Sequence, residues 1–86
     1  MPDDSVKVIH GEVLVYASKE AASDGFDKHL KKMTDRGATI LSRGTIKDSV
    51  YAYYRIDHFY GLCVAGGYSV VDYNARTMED LQKFLK

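Results

Sequence analysis

The sequence predicts an α+β domain of element order β-α-β-β-β-β-α, a four- to five-stranded antiparallel sheet carrying two helices packed on one face. Three observations predict it. Apolar residues recur with a helical period between Ser18 and Arg36, and with a period of two from Ala38 to Tyr73. Beyond Tyr73, Thr77 followed three residues later by Asp80 opens a second, short apolar-periodic stretch.

The 86 residues predict a single domain over 1–86, with 1–5 as a flexible N-terminal tail. A chain of this length buries roughly 60–65% of its unfolded surface, enough to fold alone with little margin. With 45% hydrophobic and 28% charged residues the composition is that of a globular protein. Twelve basic and twelve acidic side chains cancel, so the chain lacks the electrostatic footprint of a non-specific nucleic-acid binder. No window approaches the ~18 apolar residues of a membrane span. No basic start followed by a long apolar run marks a signal peptide. One cysteine, Cys63, forms no internal disulfide, and a cytoplasmic protein in a reducing compartment is expected.

Each element has its own signal. Val6 to Tyr16 is rich in β-branched residues, with Val13-Leu14-Val15-Tyr16 as a buried strand and Gly11 as a bulge or bend. Ala22, Phe26, Leu30 and Met33 fall along one stripe of a helix that Gly37 stops. Gly25, inside it, costs about 1 kcal/mol against alanine and predicts a frayed first turn. Thr39–Ile46, Val50–Ile56 and Tyr60–Tyr73 read as strands, the last folding back at Gly66-Gly67. Thr77 to Lys86 closes the chain as a helix with Met78, Leu81, Phe84 and Leu85 on its apolar face.

Val50 to Tyr73 holds six of the seven tyrosines, and a strand register assigns them to faces. A Gly66-Gly67 turn places Tyr60, Leu62, Val64, Val71 and Tyr73 together, because directly opposed residues share a face. Three-residue loops at Asp57-His58-Phe59 and Lys47-Asp48-Ser49 add Ile40, Ile46, Val50, Ala52, Tyr54 and Ile56 to the same face. Agreement of three turns on one apolar face makes it the expected core. The opposite face then carries Leu41, Arg43, Tyr51, Tyr53, Arg55, Cys63, Ala65, Tyr68, Val70 and Asp72. Should the first helix cross to that side, it becomes a second core layer instead. The place of the first strand, beside Thr39–Ile46 or beside Tyr68–Tyr73, stays open.

Tyrosine presented with arginine is the composition of an interface centre, so Arg43, Tyr51, Tyr53, Arg55 and Tyr68 are the expected partner-binding residues. Chemistry has weaker signals. The sequence contains no CxxC, HxxxH, HExxH or GxSxG spacing and no glycine-rich phosphate loop, so no catalytic residue, metal or cofactor is expected. His58 falls in a turn, His10 and Glu12 stand two apart on a strand, and Cys63 reads as a small hydrophobe. An enzyme built on His10, His58 or Cys63 is the last choice. Lys28, Lys31, Lys32 and Arg36 are interleaved with Asp24, Asp27 and Asp35 and suit a helix C-terminus electrostatically.

From Ser18 onward, the order helix, three or four antiparallel strands, helix resembles double-stranded-RNA-binding domains. That resemblance implies a basic start to the last helix near Ala75-Arg76-Thr77-Met78-Glu79-Asp80, where this chain has one arginine and two acids. In size and style the chain is also similar to small modulators and inhibitors of phages and mobile elements, anti-CRISPR proteins among them. The expectation is therefore a small non-enzymatic protein that binds another protein through the tyrosine–arginine face. Nucleic-acid binding by stacking on the same face, and a homodimer hiding it, are the alternatives.

Overall fold

The computed structural model describes residues 10–83; the expected tail at 1–5, the part of the expected first strand at 6–9 and the part of the expected last helix at 84–86 lie outside them. The elements follow the expected order: β1 (His10–Val15), α1 (Lys19–Asp35), β2 (Thr39–Ile46), β3 (Ser49–Ile56), β4 (Phe59–Gly66), β5 (Ser69–Ala75) and α2 (Met78–Gln82). One antiparallel sheet contains all five strands in the order β1-β5-β4-β3-β2, which puts β1 on an edge beside β5.

Both helices start, and the first also stops, where capping residues dictate. Ser18 Oγ accepts from the Ala21 amide at 3.0 Å. At the other end Gly37, at φ +103°, closes the helix: its amide bonds the Thr34 carbonyl and the Ala38 amide bonds that of Met33, each at 3.0 Å. Thr77 caps α2, accepting from the Asp80 amide at 3.2 Å while its hydroxyl donates to the Asp80 carboxylate at 2.9 Å. Gly25 does not fray α1. It lies buried beneath the Tyr16 ring, and a Cβ there would overlap that ring.

The hairpins depart from the expected register. All three turns contain two residues, Lys47-Asp48, Asp57-His58 and Gly67-Tyr68, and the first residue of each has a positive φ of 53°, 52° and 60°. The glycine turn is displaced by one residue, so Gly66 pairs with Ser69 and the β4–β5 faces are unchanged. The other two turns are one residue shorter than expected. Tyr53, not Tyr54, therefore faces Leu62, and the side chains of β3 exchange faces relative to β4. Gly11 sits in unbroken register opposite Tyr73, and the bulge falls in β2 at Leu41, between Ile40 and Ser42.

The expected single core consequently divides in two, and the helices lie on opposite faces rather than on one. On the first face Ala22, Phe26, Leu30 and Met33 of α1 pack on Ala52, Tyr54, Cys63, Ala65 and Val70. On the second, Leu81 and Met78 of α2 pack on Tyr53, Leu62, Ala75, Tyr60 and Tyr73. The physical reason is coverage. Among the described residues the 17-residue α1 covers the side of the central strands that carries Ala52 and Tyr54, and the five-residue α2 packs on the side that carries Tyr53 and Leu62.

Candidate functional site

Two regions collect polar or exposed side chains, and the fold builds them on opposite faces. Beneath α1, Asp72 projects from β5 and is buried. Its two carboxylate oxygens are used separately: the Tyr54 hydroxyl donates to Oδ1 at 2.7 Å, and His29 Nε2 donates to Oδ2 at 2.8 Å. Asn74 Nδ2 in turn donates to the Tyr54 hydroxyl at 2.9 Å. Tyr54 can reach across because its strand partner is Gly61; a Cβ at Gly61 would overlap the Tyr54 ring. Burial, with the Asp72 charge adding to it, drives the Tyr54 phenol well above its ordinary range.

Cys63, directly opposite Asp72, is fully buried, and burial followed by the same carboxylate pushes its thiol up to about 12. The thiol is therefore protonated at neutral pH and unsuited to nucleophilic attack. A cleft of about 400 Å³ opens between α1 and β1, lined by Leu14, Tyr16, Asp24, Lys28, His29 and Lys32. The arrangement can orient an imidazole, with no serine, threonine or cysteine among the described residues that line the cleft. Among the described residues no group of three or more His, Cys, Asp or Glu could hold a metal ion. His58 is exposed in the β3–β4 turn, and His10 takes the β1 position opposite Asn74.

The second region is the part of the sheet beyond α2. One lateral row crosses all five strands: Val13 beside Val71, Val71 beside Val64, Val64 beside Tyr51, and Tyr51 beside Gly44. The Tyr51 ring leans over Gly44 and meets Tyr53 edge-on, with centroids 5.6 Å apart at 70°. Tyr51 and Val64 pack at the margin of the α2 core, whereas Val71, Val13 and Val15 belong to neither core cluster. Val13 is 61% and Val15 78% exposed, high values for valine on a sheet face.

Of the five residues expected to bind a partner, three share this side. Tyr51 lies in the valine row, Tyr53 is buried under α2, and Arg55 is exposed beside Tyr60. Arg43 is on the other face, its guanidinium 5.8 Å above the Phe26 ring and 3.5 Å from Asp27. Tyr68 occupies the second position of the β4–β5 turn and is 55% exposed. A continuous tyrosine–arginine surface is thus not assembled. Val13, Val15, Val64 and Val71, which the sequence reading placed in a core or a buried strand, form the more continuous apolar surface. Their only sequence signal is the shortness of the helix meant to cover them.

No helix of the described residues is long and apolar enough to cross a membrane. No protein-family model matches the chain, and neither does any curated protein or solved structure.

Proposed function

We propose that this chain is a small non-enzymatic interaction protein that binds another protein on the sheet face α2 leaves uncovered. The observation that carries this reading is the valine row. A five-stranded sheet presents the exposed Val13 and Val15 beside the half-buried Val71, with Tyr51 at one flank, while α1 packs on the opposite face. Contiguous apolar surface on a small domain is costly in water and marks interaction sites. A sheet also holds such side chains in place before binding, which reduces the ordering cost of association. A modulator or inhibitor that works by occupying its partner's surface needs no more than this.

The test compares capture of binding proteins by the immobilised wild type, by Tyr51→Ala and Val71→Ser, and by Lys28→Ala on the α1 side. Loss of one protein from both face variants, by about 1–3 kcal/mol once its affinity is measured, is the expected result. Lys28→Ala should retain it. Equal capture by all four proteins would sink the proposal, as would recovery only of nucleic acid with a steep salt dependence.

A further inference from the structure

We propose that the cleft between α1 and β1 binds a small phosphate monoester that carries hydroxyl groups. Everything that lines it comes from one continuous stretch, residues 14–32, and its volume of about 400 Å³ suits a small molecule. The cleft lies on the α1 side of the sheet, where Leu14 stands opposite Val70 of the α1 core. The proposal therefore stands apart from the protein-binding face.

The two flanks of α1 use their charges differently. On the far flank Asp27 pairs with Arg43 at 3.5 Å and Lys31 with Asp35 at 3.2 Å. On the cleft flank Asp24, Lys28 and Lys32 follow one another at intervals of four. Among the described residues none of these three is in an ion pair. Two lysines one helical turn apart repel each other. The helix dipole favours Lys32 in the last turn, but its effect has faded at Lys28, about two turns from the end. Tyr16 adds a hydroxyl, its ring seated against α1 in the space that Gly25 leaves.

These groups divide into donors and acceptors. Lys28 and Lys32 set two positive charges side by side, which matches the charge of about −1.5 to −2 on a phosphate monoester better than that of a carboxylate. The Tyr16 hydroxyl can donate to the same group. Asp24, one turn before Lys28, is an acceptor. His29 is a second one. Its Nε2 is committed to Asp72 Oδ2 at 2.8 Å, which leaves Nδ1, the lone-pair nitrogen of the neutral ring, for a ligand. Asp72 is itself held by the Tyr54 hydroxyl at 2.7 Å, so the imidazole is oriented before a ligand arrives. Such acceptors take hydroxyl protons and repel a second anionic group. They select one phosphate on a hydroxylated body, with Leu14 and Ala21 as its apolar wall.

The experiment is isothermal titration calorimetry of the full chain with ribose 5-phosphate, glycerol 3-phosphate, ribose and inorganic phosphate. At least one of the two esters should bind one to one, and ribose should not bind. Inorganic phosphate should bind about tenfold more weakly than that ester. Lys28→Gln should weaken the ester by about tenfold or more. Asp24→Ala should weaken the ester without weakening inorganic phosphate, a split that loss of fold does not produce. Lys31→Gln, on the far flank, should bind as the wild type does, with circular dichroism as the fold control. Failure of both esters to bind, equal affinity for inorganic phosphate, or equal weakening by Lys28→Gln and Lys31→Gln would each overturn the proposal.

Discussion

Replacing Tyr54 by phenylalanine isolates the buried hydroxyl at the centre of the fold. The ring is 0% exposed and lies in the space left by Gly61, and phenylalanine keeps that ring, so no cavity opens. What disappears is a donor to Asp72 Oδ1 at 2.7 Å and an acceptor for Asn74 at 2.9 Å. A hydrogen bond to a charged group contributes about 1.5–3 kcal/mol, and stranding a buried carboxylate oxygen adds to the loss. Asp72 keeps His29, and Asn74 keeps the Tyr73 carbonyl at 3.3 Å, which limits the damage. The expected cost of Tyr54→Phe is therefore about 2–4 kcal/mol, out of roughly 4–13 kcal/mol for a domain of this length. Urea unfolding reads it as a lower midpoint at unchanged slope. Tyr53→Phe serves as the control, since that hydroxyl takes no part in these bonds. Combined with His29→Ala, the change should show a coupling of at least about 0.5 kcal/mol, because both donors act on one carboxylate. A loss below about 0.5 kcal/mol with no coupling would mean that water replaces the hydroxyl freely, and the reasoning would fail.

Two further outcomes follow from the same geometry. Cys63 is protonated in the fold up to about pH 12 but ionises near its ordinary 9.0 once unfolded. Between those values the unfolded chain binds fewer protons, so stability falls as pH rises, by about 1.4 kcal/mol per pH unit. Cys63→Ala should flatten the first part of that decline in equilibrium unfolding at successive alkaline pH values, leaving the later part that Tyr54 causes. Lys47 holds φ at 53° in a two-residue turn, a conformation costing a non-glycine residue about 1–2 kcal/mol. Lys47→Gly should raise stability by about 0.5–1 kcal/mol after the extra chain entropy of glycine is subtracted, readable as an upward shift of the melting temperature.

Most of the element map was legible because caps are local. Ser18, Gly37 and Thr77 each act within five residues of chain, and each end falls where its chemistry places it. The faces were legible only in part, because a face depends on turn length. Neither Lys47 nor Asp57 carries the glycine or asparagine that announces a two-residue hairpin, although aspartate tolerates a positive φ better than most. Each shortened turn reverses one parity. The two reversals cancel for β2 from Ser42 to Ile46, so Arg43 does share a face with Cys63 as expected. Between them β3 is inverted, and the bulge at Leu41 inverts Ile40 again. Apolar alternation could not correct this. Both sides of the central strands are covered, and leucine, tyrosine and valine fit either side equally well.

The inversion also explains what the tyrosines are for. Four of the seven lie against a glycine: Tyr16 on Gly25, Tyr51 on Gly44, Tyr54 on Gly61 and Tyr73 on Gly11. The last three are direct cross-strand pairs, in which the ring occupies space that the glycine leaves bare on the sheet. A tyrosine committed in this way is part of the packing, however much its composition suggests a binding surface. The side chains left without such a commitment are the valines at 13, 15 and 71. They lie on β1 and β5 outside both core clusters, next to an edge whose outward amides and carbonyls have no ladder partner among the described residues. The proposed recognition therefore rests on the aliphatic side chains of β1 and β5, while these four tyrosines are committed to packing against glycines.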